Sequence, residues 1–190
     1  DVHEPIAPSP VSQAVGEGIA ARVGDGSTMQ MGIGEVPNAV VSRLVDRKGL
    51  RIWTEMFSDG VLDLHKNDAL DQDRPLTASI LFGSRELYYW VHMNTRIRMM
   101  RTEFTNNPGR IEKQALMTSV NSALQVDLLD QANASRIKGR IYSGFGGQTD
   151  FIVGALHSRG GQSFIALPSW HAKADTCLLY TSDAADDLLC

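Results

Sequence analysis

The sequence predicts an α/β fold, an open and mostly parallel sheet with flanking helices, on three observations. Short apolar runs alternate with segments whose apolar residues recur at helical spacing. Glycine turns stand at Gly32-Ile33-Gly34 and Gly144-Phe145-Gly146-Gly147, between a run of each kind. At 190 residues and 43% hydrophobic, the chain can bury one sizeable core.

Ser9-Pro10 predicts a capped helix start, with Val11, Val15, Ile19 and Val23 on one face and Gly24 at the end. Residues 28 to 32 form a short strand. After the Gly-Ile-Gly turn, Pro37 sits where a first-turn proline opens a helix carrying Ala39, Val40, Val41 and Leu44. Leu50 to Thr54 is the next strand, residues 61 to 66 a short helix, and Thr77 to Phe82 a buried strand ended by Gly83. Ser84 caps a helix through Leu87 to Val91. A strand from Ile97 to Glu103, the turn Thr105-Asn106-Asn107-Pro108 and a helix around Ile111 follow. Strands near 116 to 120 and 124 to 129, a helix from about Asp150 to Leu156 and a strand from Ser163 to Leu167 complete the alternation.

Residues 1–10 are proline-rich and aperiodic and read as a linker from a preceding domain, and residues 11–176 read as one domain. Beyond Thr176 the composition shifts abruptly, and residues 177–190 read as a non-native tail resembling a translated sequencing adapter. Both cysteines, Cys177 and Cys190, lie in that tail, so the rest of the chain has no thiol for a disulfide, a zinc site or a nucleophile. The histidines at 3, 65, 92, 157 and 171 lack ligand spacing, and no metal is expected. A net charge of −4 offers no overall basic field for nucleic acid or an anionic membrane surface. No apolar run approaches the ~20 residues that cross a bilayer, which points to a cytoplasmic protein.

The heptapeptide Thr54-Glu55-Met56-Phe57-Ser58-Asp59-Gly60 nominates Glu55 as a carboxylate nucleophile. A carboxylate attacks only an activated carbonyl, because the product is an anhydride that lies uphill of esters and amides; a thioester qualifies. A glutamate of ordinary pKa, ~4.3, is ionised at neutral pH and needs no neighbouring base. It does need shelter for the oxyanion, which backbone N–H groups in glycine turns can give, each worth roughly a hundredfold to a thousandfold in rate. The Gly32 turn is no dinucleotide fingerprint, since Pro37 occupies the third glycine position. Ser143 lacks the glycine two residues earlier that a serine-hydrolase elbow requires. Taken singly, each motif also has a plain reading as a tight turn, a loop or a solvated glutamate.

In this order, and with Leu81-Phe82-Gly83-Ser84-Arg85, Asn106-Asn107-Pro108 and Ser119-Val120-Asn121-Ser122-Ala123, the motifs resemble the C-terminal catalytic half of acetyl-CoA hydrolase/transferases, from about Ser12 to Thr176. The resemblance implies a truncated CoA-transferase-type domain in which Glu55 forms an acyl-glutamyl anhydride and then a glutamyl-CoA thioester. It implies oxyanion donors at the Ile33 backbone and Gly147, and contacts to coenzyme A from Gly32, Ile33, Gly34, Glu35, Val36, Asn106, Gly146, Gly147 and Arg159. Many relatives carry arginine where this chain has Val153. The implied substrates are an acyl-CoA and a small carboxylate of the 4-hydroxybutyrate or acetate type, with a homo-oligomer expected at full length. An acetyl-CoA hydrolase using the same glutamate and a noncatalytic CoA-binding domain are the alternatives. Apolar surface is expected to be exposed where an N-terminal domain would dock.

Overall fold

The computed structural model describes residues 2, 3, 7–137, 139–171 and 176–180. Helix α1 (Pro10–Ala20) begins where the Ser-Pro pair places it, with the Ser9 hydroxyl accepting from the Ser12 N–H. Strand β1 (Thr28–Met31) is buried throughout and leads through the Gly32 turn into α2 (Glu35–Ser42). Next come β2 (Arg51–Ile52), β3 (Met56–Phe57) and α3 (Asp59–Lys66). They are followed by β4 (Leu76–Ala78), β5 (Ile80–Leu81) and α4 (Arg85–Val91), whose cap is the Ser84 hydroxyl on the Leu87 N–H. The chain continues through β6 (Ile97–Met99), α5 (Thr102–Thr105), α6 (Pro108–Ile111), β7 (Met117–Asn121) and β8 (Gln125–Asp127). Short strands β9 (Ala132–Asn133), β10 (Arg136–Ile137) and β11 (Arg140–Ile141) precede α7 (Gln148–His157) and β12 (Gln162–Ile165). Last are β13 (Trp170–His171), β14 (Thr176–Cys177) and β15 (Leu179–Tyr180).

Four strands form a parallel sheet in the order β12-β7-β1-β2, with Met29 opposite Thr118 and Ile52, and Val120 opposite Phe164. Single parallel bridges at Leu50–Leu70 and Trp53–Thr77 carry the run onward to β4, which pairs in parallel with β6. The expected open parallel sheet with flanking helices is the observed one. Because strand residues alternate faces, Met29, Met31, Ile52 and Val120 join Ile19, Val40, Leu44 and Val61 in the large core under α1, α2 and α3. Met117 points the other way, into a second cluster with Ile111, Phe151 and Ala155, flanked by Trp53. A parallel sheet buried on both faces leaves its loops at the strand ends, and the carboxyl ends are where ligand sites gather.

Three elements depart from expectation. The strand foreseen from Thr77 to Phe82 breaks at Ser79, because the Ser79 and Ile80 N–H groups both donate to the Glu55 carbonyl, at 3.0 and 2.9 Å. The strand foreseen to Glu103 stops at Met99. Met100 N–H makes the last bond, to Ala78 O at 2.8 Å, and Arg101 (φ −67, ψ 149) opens α5. The strand foreseen from 124 to 129 ends at Asp127, whose carboxylate accepts from the Leu129 and Gln131 N–H groups and turns the chain. Of the supposed tail, Cys177 joins Thr176 in β14, which pairs with β13, and Leu179–Tyr180 form β15, which pairs with β8; residues 181–190 lie outside the described residues. Among the described residues no helix is long and apolar enough to cross a membrane.

Candidate active site

Glu55 follows β2 at the carboxyl edge of the sheet, one strand away from the end of β1 that feeds the Gly32 turn. Trp53 N–H still donates to Met29 O, at 3.1 Å. The buried Thr54 hydroxyl then lies 3.3 Å from Met31 O and 3.0 Å from Met56 O, so it ties the Glu55 loop to the end of β1. The Glu55 carbonyl is held by the two N–H groups at the β4–β5 break. Its main chain is therefore fixed on both sides.

The Glu55 side chain is half-buried, and Asn106 Nδ2 donates to its Oε2 at 2.6 Å. Asn106 closes α5 and is anchored to the sheet by its neighbours: Trp53 Nε1 donates to Thr105 O at 2.8 Å, and the Trp53 and Phe104 rings stack at 5.7 Å. Gly147 completes the constriction from the opposite loop. A methyl group built on it would overlap both Glu55 Oε2 and the Asn106 amide. Two residues distant in sequence therefore converge on one carboxylate. In the first turn of α7, Asp150 is pushed above the usual aspartate range, first by burial and then by the Glu55 charge.

A family profile described as the acetyl-CoA hydrolase/transferase C-terminal domain matches residues 83–185. The 4-hydroxybutyrate coenzyme A transferase of Clostridium kluyveri is 39% identical over 169 residues, which cover 86% of this chain and 39% of that protein. The chain belongs to the acetyl-CoA hydrolase/transferase family. Among solved structures of similar fold, RipA from Yersinia pestis superposes with a TM-score of 0.89 at 31% identity, covering 96% of this chain and 43% of that one. The 4-hydroxybutyrate CoA-transferase from Porphyromonas gingivalis gives 0.81 at 34% identity, covering 93% and 44%. The chain spans about two fifths of the length of the curated CoA transferases it matches.

Of the residues nominated from the sequence, Glu55, Asn106 and Gly147 are in direct register, with Gly146 beside them at φ 62. Gly32, Ile33 and Gly34 lie at the same sheet edge, where Ile33 is exposed and Gly32 N–H donates to Val120 O at 3.0 Å. Val36 is buried in the large core, so only its backbone remains for a ligand. The Glu35 carboxylate accepts from the Ser9 N–H, which holds it below the usual range and ties α2 to the start of α1. Arg159 is not brought to the cluster. Its carbonyl pairs with Leu116 N–H at the amino edge of the sheet, a ten-residue α7 away from Gly147, or about 15 Å at 1.5 Å per residue.

A cavity of about 580 Å³ opens beside the Gly32 turn, with Ile33, Gly34, Asn38, Asp59 and Phe82 among its walls; Glu55 and Gly147 lie outside it. Asp59 is occupied structurally, accepting from the Ser84 N–H and hydroxyl at 2.9 and 2.5 Å. Sequence reasoning passed over Thr54, Ser79 and Thr105, the three hydroxyls packed around Glu55 and Asn106. The only local signal was adjacency, since Thr54 precedes Glu55 and Thr105 precedes Asn106.

Proposed function

We propose that the chain carries the nucleophile of an acyl-CoA:carboxylate CoA-transferase of the 4-hydroxybutyrate or acetate type, and that the nucleophile is Glu55. The observation that carries this reading is the Asn106–Glu55–Gly147 constriction at the carboxyl edge of the sheet.

A Glu55 oxygen attacks the carbonyl carbon of the acyl-CoA, the C–S bond breaks, and coenzyme A leaves as its thiolate, giving a mixed anhydride. The thiolate then attacks the glutamyl carbonyl carbon. The donor acid leaves as a carboxylate, and a glutamyl-CoA thioester remains. An acceptor carboxylate runs the two steps in reverse and regenerates Glu55. In each step charge collects on a carbonyl oxygen, and the groups suited to meet it are the Asn106 amide, already on Glu55 Oε2, and the backbone N–H groups of Ile33 and Gly147. Among the described residues, neither of those two N–H groups has an acceptor. Acetyl-CoA hydrolysis needs only water in place of the acceptor, and the family includes hydrolases by name.

The test is to incubate the full-length protein with acyl-CoA, reduce it with borohydride, and map the adduct by mass spectrometry. Label at Glu55, absent from Glu55→Gln, is the expected result. A folded, coenzyme A-binding protein that acquires no label would leave only the noncatalytic reading. Turnover measured with acetate, succinate, propionate, 4-hydroxybutyrate or water alone then separates transfer from hydrolysis.

A further inference from the structure

The amide of Asn106 has two ends, and only one of them can face a carboxylate. Rotated by half a turn, it would set Oδ1 against Glu55 Oε2, two acceptors with no hydrogen between them. The group that decides the orientation lies on the far side. Thr105 Oγ1 is 2.9 Å from Asn106 Oδ1. Because Oδ1 only accepts, the Thr105 hydroxyl must donate to it. That hydroxyl has a single hydrogen, so in its contact with Ser79 Oγ it must accept, and Ser79 supplies the proton. The result is a chain with one sense, from Ser79 to Thr105 to Asn106 to Glu55.

The competing acceptor for the Thr105 hydrogen is Thr102 O, at 3.2 Å. Accepting from Ser79 makes the Thr105 hydroxyl a better donor, through the mutual polarisation of linked hydrogen bonds, and the nearer Oδ1 is favoured. Both hydroxyls are rigidly mounted. Thr105 is fully buried and anchored through its carbonyl to the Trp53 indole. Ser79 sits at the β4–β5 break, where its N–H holds the Glu55 carbonyl. One residue thus grips the Glu55 main chain directly and its carboxylate through two hydroxyls and an amide.

We propose that Ser79 and Thr105 are positioning residues whose hydroxyls lock the Asn106 amide in the orientation that donates to Glu55; this rests on the reading of Glu55 as nucleophile. The Asn106 bond counts most while charge builds on a carbonyl oxygen, so loosening the lock acts on turnover more than on substrate binding.

In the full-length protein, Thr105→Val keeps the buried shape and removes the hydroxyl, and Ser79→Ala removes the other. Each is expected to lower kcat about tenfold with KM within about twofold, and Thr105→Ser, which keeps the hydroxyl, to stay within about threefold of the parent. In an Asn106→Ala background, Ser79→Ala and Thr105→Val should cost nothing further, since no amide remains to be oriented. If Thr105→Val does not fold, Ser79→Ala against Asn106→Ala carries the same comparison. The proposal is overturned if both hydroxyl-free variants turn over normally while Glu55→Gln is dead, or if their losses persist in full without Asn106. Normal turnover by Glu55→Gln would instead remove the glutamate reading beneath it.

Discussion

At the scale of single residues, Gly147 and Gly34 are glycines for opposite reasons. Gly147 has φ −84 and ψ 5, angles open to any residue, but there is no room beside it for a side chain. Gly34 has open space around it yet stands at φ 127 and ψ −179, a region essentially reserved for glycine. Substitution at the first should therefore strike the carboxylate directly. Gly147→Ala must push Glu55 or Asn106 out of place, and we expect kcat to fall about a hundredfold or more, with about 1–3 kcal/mol of stability lost to overpacking. Steady-state kinetics and urea unfolding read the two effects separately. A folded Gly147→Ala enzyme of near-normal turnover would mean that the carboxylate works from some other position.

Among the elements, α7 joins the site to the core. Its N-terminal turn brings Gly147 and Asp150 to Glu55, while Phe151 and Ala155 pack on Ile111 and Met117. Burial, and then the Glu55 charge, raise the Asp150 pKa, so the folded chain binds that proton more tightly than the unfolded chain does. The resulting stability is present below the ordinary aspartate value of ~3.9 and is lost as pH rises through the raised one, leaving a net cost at neutrality. Asp150→Asn should therefore raise the urea midpoint at pH 7 and leave it unchanged near pH 3; no gain at pH 7 would show that the helix N-terminus outweighs burial there. Helix α7 was legible because Phe151 and Ala155 follow its period and glycines precede it. The break at Ser79 was not. Thr77 to Phe82 read locally as one strand, and nothing nearby announces that the carbonyl of Glu55 will take two successive N–H groups. The turn at Asn106 was visible from Asn107-Pro108, but its partner could be found only through the likeness to a family. That same likeness nominated Arg159, which the run of α7 carries to the opposite edge of the sheet.

For the molecule as a whole, parallel strand order is what collects the site. The loops after β1 and β2, the turn before α7 and the end of α5 all reach Glu55 or the strand beside it because the connections return each strand of the sheet in the same direction. The same chain leaves large apolar side chains in water between residues 128 and 156: Leu129 is 74% exposed, Ile141 76%, Tyr142 73% and Phe145 63%. A net charge of −4 provides little repulsion to keep copies apart. Apolar surface of this kind marks contact sites or aggregation hazards, so the 190-residue chain alone should associate with itself as its concentration rises from about 1 µM toward 1 mM. Light scattering across that range measures the effect, and the paired change Tyr142→Lys with Phe145→Lys should shift the onset to higher concentration if these side chains drive it. A chain that stays monomeric throughout would show that the exposed groups are too dispersed to act as a surface, and the burial pattern between residues 128 and 156 would then need another explanation.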